Sequence, residues 1–332
     1  MSARPLRILL SPQARQELAP AIAALLGPRA YELVTAGEAG GAPQPGVDLA
    51  FISRDVTGLS TKHVRTDGSE AFYAFLRAST ELRWVHIHSA GADRPIYCEL
   101  RARGVQVTTS SGANAEVVAQ TALAGLLALA RRFPQLMAAQ QARTWAPLVS
   151  QPPRDLAGQT AVVVGWGPIG QRLGAFLRML GLHVIAVRRN PPSAEEAGVE
   201  MVGFAAFPAV LPRADWLLLA CPLTEQTRGL VNREALMALP AGACILNVAR
   251  GEVVVEHDLA EVLRQGRLGG AFLDVFQHEP LASESPLWGF DNVIVTPHSA
   301  GHSDGNYRRV ADIFLANLAR WHAGQPLQNC IP

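Results

Sequence analysis

The chain has 332 residues, 49% of them hydrophobic and 17% charged, and 29 basic against 28 acidic side chains leave a formal net charge of +1. At roughly 150 residues per domain, this length predicts two domains, each able to bury a core of its own. The even charge balance argues against nucleic acid or an anionic membrane as a partner, because non-specific phosphate binding needs a surplus of Lys and Arg. The most apolar run, residues 121–130, is about half the ~20 residues of a membrane span and stops at Arg131-Arg132. The N-terminus has too short an apolar stretch for a secretory signal. Cys98, Cys221, Cys244 and Cys330 lie far apart without Cys-x-x-Cys or His pairing, so neither a metal site nor a disulfide framework is expected. A cytoplasmic, two-domain protein is the expectation.

Five short β-rich runs open the chain, over residues 7–10, 31–34, 48–53, 83–89 and 105–110. They are apolar enough to be buried on both faces. Helical runs alternate with them, among them residues 13–27 and 69–79, which predicts a parallel sheet flanked by helices. A Gly/Pro cluster over 36–46 marks a surface loop. One long helix is expected over 114–132, with Asn114 as its N-cap and apolar residues on most faces. Residues 133–155 look less regular, and Trp145 among them reads equally as a dimer-contact or lid residue and as a core residue. Strand signals resume over 160–165, 183–188, 216–221, 244–249, 270–275 and 292–296, and a last helix spans about 304–323.

The strand at 160–165 runs into Gly165-x-Gly167-x-x-Gly170 and then a helical run. This is the dinucleotide-binding spacing. Gly165 permits the tight turn, Gly167 lets the backbone approach a pyrophosphate, and Gly170 allows close helix–strand packing. The helix N-terminus offers its free N–H groups to the phosphates, with Pro168 and Ile169 beside them. The next strand ends at Arg188-Arg189, and position 188 falls 18 residues beyond Gly170, where an acid usually binds the ribose of NAD. Two guanidiniums there would instead bind a 2′-phosphate, so NADP(H) is the expected cofactor, with NAD(H) second.

Three polar groups follow strand ends: Arg250, Glu279 (with Asp274 before it) and His298. Their types suit hydride transfer to a carbonyl next to a carboxylate. Arg250 can grip the carboxylate and polarise the carbonyl. His298 can protonate the developing alkoxide, with Glu279 fixing the imidazole tautomer.

On these residues the stretch 162–301 resembles the D-isomer-specific 2-hydroxyacid dehydrogenase family, in the glyoxylate/hydroxypyruvate reductase manner. The resembling segments are VVVGWGPIGQRLG, CPLTEQTRGLVN, LPAGACILNVARGEVV, LGGAFLDVFQHEPL and SPLWGFDNVIVTPHSAG. The resemblance implies an α/β fold of two Rossmann-like domains. A dinucleotide-binding sheet, 113–301, is inserted into a smaller flavodoxin-like substrate domain, 1–112 with 302–332. It assigns the catalytic triad to Arg250, Glu279 and His298, and puts Asp274 at the nicotinamide side. Cys221, Pro222, Thr227 and Ala249 are implied along the cofactor, with Cys221 as a packing residue. Ser89, Ala90 and Gly91 are implied as a substrate loop whose N–H groups hold the carboxylate. A homodimer through the cofactor domains and a small 2-keto acid substrate complete the expectation; a dinucleotide-sensing, corepressor-like binding protein is the alternative. Two features depart from the family, Gln120 where Glu is common and Arg188-Arg189 in place of the usual acid; Pro297 before the His argues against the formate dehydrogenase type, and the expected lack of a regulatory domain after Pro332 against the longer phosphoglycerate dehydrogenase type.

Overall fold

The first five apolar runs become β1 (Leu6–Leu10), β2 (Tyr31–Thr35), β3 (Leu49–Ile52), β4 (Trp84–Ile87) and β5 (Gln106–Thr109) in a computed structural model that describes residues 4–36, 46–58, 60, 66–191 and 198–331. Most of the Gly/Pro cluster read as a surface loop lies outside the described residues. The five strands pair in the order β2-β1-β3-β4-β5, every pairing parallel. That is the flavodoxin-like order, with its reversal between β1 and β3. Around the sheet lie α1 (Pro12–Leu26), α2 (Arg54–Thr57), α3 (Asp67–Ala78) and α4 (Pro95–Ala102). Local sequence sets the helix starts: the Ser11 hydroxyl accepts the Ala14 N–H at 3.0 Å, and Thr66 with Ser69 forms a capping box for α3.

A second compact unit, Ala115–His302, interrupts the first in sequence, which comprises Met1–Asn114 and Ser303–Pro332. It begins with α5 (Ala115–Ala130) and α6 (Phe133–Gln141). Seven strands follow: β6 (Thr160–Val164), β7 (His183–Arg188), β8 (Glu200–Gly203), β9 (Trp216–Leu219), β10 (Cys244–Asn247), β11 (Gly270–Leu273) and β12 (Val293–Val295). Between them run α7 (Pro168–Met179), α8 (Phe207–Val210), α9 (Arg233–Ala238) and α10 (Glu256–Arg264). The sheet order is β12-β11-β10-β9-β6-β7-β8, all parallel, so the winding reverses between β6 and β9. Ligands of open α/β sheets bind beyond the carboxyl ends of the strands at such a reversal.

The last helix, α11 (Asn306–His322), belongs to the first unit. It buries Val310, Ala311, Phe314 and Leu318, and Phe314 stacks on Phe51 with ring centroids 4.6 Å apart. The tail then lies beside β5, where the Ile331 N–H donates to the Val107 carbonyl at 3.0 Å. No helix among the described residues is long and apolar enough to cross a membrane.

Four details differ from the sequence reading. The edge strand β8 was missed because Glu-Met-Val-Gly is half-buried throughout and lacks an apolar run. Residues 133–141, read as irregular, form α6, a helix that buries none of its residues. Asn114 precedes α5, but its side-chain oxygen is buried without a hydrogen-bond partner, so it makes no capping bond. Trp145 is 94% exposed, which removes the core alternative.

Candidate active site

The three glycines differ sterically in the way their spacing implies. Gly165 has φ +99°, and a Cβ there would sit 2.6 Å from the Cys221 backbone, so the turn after β6 presses against the chain leaving β9. A Cβ on Gly170 would come 1.9 Å from the Gly165 carbonyl oxygen. Gly167 has open space where its Cβ would stand. It precedes α7 without any side-chain capping bond, and Pro168 is the first helical residue. Ile169 packs half-buried against the core. The α7 N-terminus therefore presents uncapped N–H groups at the sheet reversal, a cradle that fits a pyrophosphate. Arg188 ends β7 and Arg189 follows it. The Gly165 N–H donates to the neighbouring Val187 carbonyl at 2.8 Å, which brings the two arginines to the same sheet edge as the glycine turn.

Three adjacent strands deliver the catalytic candidates. Arg250 lies three residues past β10, Asp274 one past β11 rather than within it, and His298 three past β12. With strands about 4.8 Å apart, the carboxyl ends of β10 and β12 are roughly 10 Å from each other. His298 Nδ1 is 2.8 Å from Glu279 Oε2, and the other Glu279 oxygen accepts the Phe276 N–H at 3.1 Å. The same 274–279 loop braces Arg250: a Cβ on Gly251 would fall 1.8 Å from the Phe276 carbonyl carbon, so only glycine lets the two backbones touch. Arg250 Nη1 donates to the Ala249 carbonyl at 2.7 Å, and the Asn247 side chain bonds both the Ala249 N–H and the Arg250 carbonyl at 3.0 Å. Ala249 is itself buried.

Asp274 anchors the histidine turn. Its carboxylate accepts the Thr296 hydroxyl at 2.6 Å, the Ser299 N–H at 2.8 Å and the Ala300 N–H at 3.1 Å, while its carbonyl accepts the His298 N–H at 2.8 Å. These bonds hold His298 at φ +52°, a left-handed conformation that disfavours non-glycine residues. Burial pushes the Asp274 carboxyl pKa above its ordinary value, opposed by the bonds from Thr296, Ala300 and Ser299 and by the His298 charge. With these bonds satisfied internally, Asp274 acts as a cap of the 299–300 backbone.

Cys221 is buried and its thiol is pushed up to about 12, chiefly by burial, so it stays protonated and packs rather than attacks. Pro222 is exposed beside it. Thr227 is 2% exposed; its hydroxyl donates to the Pro222 carbonyl at 2.7 Å and accepts the Thr224 N–H at 2.8 Å, so it shapes the 222–227 turn. In the first unit, Ser89, Ala90 and Gly91 follow β4, with the Ser89 hydroxyl donating to the Gly91 carbonyl at 2.7 Å. Among the described residues no group of three or more His, Cys, Asp or Glu side chains is placed to hold a metal.

Residues 123–300, more than half the chain, match the family profile of the D-isomer specific 2-hydroxyacid dehydrogenase, NAD binding domain. The chain is 31% identical over 280 residues to a glyoxylate reductase of Thermococcus kodakarensis, covering 82% of each protein. It is 37% identical over 225 residues to the D-3-phosphoglycerate dehydrogenase of Mycobacterium leprae, covering 67% of this chain but only 42% of that longer relative. The crystal structure of a D-isomer specific 2-hydroxyacid dehydrogenase from Xanthobacter autotrophicus Py2 in complex with NADPH and MES is similar over 99% of this chain and 98% of that one, at a TM-score of 0.77 and 31% identity. The fold, the glycine cradle and these likenesses agree: the chain belongs to the D-isomer specific 2-hydroxyacid dehydrogenase family, and is an oxidoreductase of 2-keto and 2-hydroxy acids that uses a nicotinamide dinucleotide.

Proposed function

We propose that the chain reduces a small 2-keto acid, of the glyoxylate and hydroxypyruvate kind, to the D-2-hydroxy acid with NADPH. The observation that supports this most is the 2.8 Å pair of His298 Nδ1 and Glu279 Oε2 on the sheet edge that also carries the glycine cradle. Glu279 accepts the Nδ1 proton, which leaves Nε2 to carry the proton that is transferred. The nicotinamide, when bound, supplies the hydride to the carbonyl carbon. His298 gives its Nε2 proton to the carbonyl oxygen, so the two additions complete the hydroxyl group. Arg250 binds the substrate carboxylate and polarises the carbonyl, a role its planar fork of donors suits. In the first unit, Ser89, Ala90 and Gly91 are the substrate loop, a turn whose backbone N–H groups suit a carboxylate.

Arg188 and Arg189 favour the 2′-phosphate of NADPH over NADH, and the Xanthobacter relative was crystallised with NADPH. The first unit is then the substrate domain and the second the cofactor domain. A second copy of the chain is the partner we infer, because Phe133, Met137, Trp145 and Val149 expose 52%, 54%, 94% and 81% of their surface along one stretch of chain. A cytoplasmic location is consistent with four free cysteines.

The test is a screen of NADPH oxidation against glyoxylate, hydroxypyruvate, pyruvate and longer 2-keto acids. Turnover on at least one, with a higher kcat/KM for NADPH than NADH, is expected. His298→Asn should cut kcat by about 10²-fold or more while NADPH affinity stays near wild type. No oxidation with any 2-keto acid overturns the reaction, and a loss confined to NADPH binding overturns the acid role of His298.

A further inference from the structure

Glu279 reaches His298 from the loop 274–279, which follows β11. It closes that loop locally, because its Oε1 accepts the Phe276 N–H three residues back at 3.1 Å. Such a bond ties the loop to itself and leaves its place in the unit to other contacts. Gln277 makes two of them. Its N–H donates to Glu256 Oε2 at 2.7 Å, and its side-chain amide donates to the Val254 carbonyl at 3.2 Å. Two carboxylates thus take successive N–H groups of one loop, Glu279 from within it and Glu256 from α10.

Glu256 is the first residue of α10, where an acid suits the positive end of the helix dipole. The helix is fixed by its buried face of Leu259, Ala260, Val262 and Leu263. The backbone leading into it is fixed as well. The Val231 N–H donates to the Val253 carbonyl at 3.0 Å, and the Val255 N–H donates to the Val231 carbonyl at 2.9 Å. The Glu256 carboxylate therefore reaches Gln277 from a rigid platform, and a backbone N–H bonded to a carboxylate is stronger than one bonded to a neutral acceptor.

The contact of Gly251 with Phe276 stops the loop from coming closer, but a steric contact does not stop it from moving away. A hydrogen bond does. Arg250 has separate support, since the Asn247 side chain bonds the Ala249 N–H and the Arg250 carbonyl, and the Val253 N–H donates to that carbonyl at 3.2 Å. Loss of the Glu256 carboxylate would release the Glu279 side of the site and leave the Arg250 side in place.

We propose that Glu256 is a positioning residue for the reduction: by holding the Gln277 N–H it clamps the 274–279 loop to α10 and keeps Glu279 on His298 Nδ1. This deepens the reading of the chain as a 2-keto acid reductase and rests on it.

The test is a double-mutant cycle on kcat, with NADPH and a 2-keto acid that the wild type turns over. Glu256→Ala should lower kcat about 10- to 10²-fold, with the KM for the keto acid and the NADPH affinity near wild type. Glu256→Asp, whose shorter stem withdraws the carboxylate from Gln277, should lose kcat in the same direction. Glu256→Gln keeps an oxygen that accepts the Gln277 N–H and should recover most of the loss. Adding Glu256→Ala to Glu279→Gln should lower kcat by less than about threefold more, because the bond that Glu256 protects is already gone. Losses that multiply, or an unchanged kcat in Glu256→Ala, overturn the positioning role. Hydrogen exchange gives a readout without turnover: segment 275–279 should exchange at least about tenfold faster in Glu256→Ala, while α10 and β11 stay protected. Equal exchange overturns the clamp. Absence of NADPH oxidation with every 2-keto acid overturns the reductase reading instead, and the exchange comparison still judges the clamp.

Discussion

Glu279 holds His298 and is itself held: one carboxylate oxygen lies 2.8 Å from His298 Nδ1, and the other accepts the Phe276 N–H at 3.1 Å. A carboxylate fixed at both oxygens cannot swing away from the ring, so the imidazole presents one nitrogen consistently. Glu279→Gln keeps the size but replaces one acceptor by a donor, setting an N–H against either Phe276 or the ring. The expected result is a kcat about 10²-fold lower, with NADPH affinity near wild type in a fluorescence titration. An unchanged kcat would mean that His298 needs no such partner.

Arg250 is placed by the contact between Gly251 and Phe276, which belongs to the same loop as Glu279. A lysine there keeps the charge and loses the planar fork. Arg250→Lys is therefore expected to lose about 10²- to 10³-fold in kcat/KM, with little change in NADPH binding. Full activity in this variant would assign the carboxylate to other donors.

Gly167 and Gly170 should separate binding from folding. An alanine at 167 meets nothing within 4 Å, and its φ of −83° is ordinary, so Gly167→Ala should melt like wild type while losing most NADPH affinity. Gly170→Ala drives a Cβ to 1.9 Å from the Gly165 carbonyl oxygen and should cost about 1–3 kcal/mol of stability. Thermal melting and cofactor titration of the two variants read both effects. If Gly167→Ala binds NADPH normally, the pyrophosphate does not lie against that residue.

The contrast between these glycines explains why the cofactor cradle was legible in the sequence: Gly165 and Gly170 have steric duties within the fold that a side chain cannot meet, and Gly167 leaves open space beside the helix N-terminus. Buried parallel strands were legible for a similar reason, since Trp216–Leu219 is apolar on both faces and can be little else. β8 was not, because a half-buried edge strand needs no apolar run. α6 buries no side chain, so its sequence carries no amphipathic signal. Arg250, Glu279 and His298 could be picked out by their place after strands, but the pairing of Glu279 with Nδ1 is a fact of geometry. The duties of Asp274 and Thr227 were hidden for the same reason: their partners are backbone groups, which no side-chain pattern records.

His86 gives the first unit a stability that depends on pH. Its ring is fully buried and joins two hydrogen-bonded chains. Trp84 Nε1 donates to Thr108 Oγ1 at 2.7 Å, and that hydroxyl donates to His86 Nδ1 at 2.8 Å; His86 Nε2 donates to Ser110 Oγ at 3.0 Å, which donates to the Ile87 carbonyl at 3.0 Å. A proton on Nδ1 would face another donor, and burial pushes the His86 pKa down to about 3. Above the ordinary value of 6.5 both folded and unfolded states leave the ring neutral, and the full stability is present. Below it the unfolded chain takes up a proton that the folded chain refuses until about pH 3, so stability falls as the pH drops through this window. The loss is about 1.4 kcal/mol per pH unit for His86, and His88, also pushed down to about 3, adds a similar slope. Urea denaturation at pH 7, 6 and 5 should show this decline. His86→Gln should lower the stability at pH 7 and flatten the decline by about one histidine's share; an equally steep decline in the variant would place the proton uptake elsewhere.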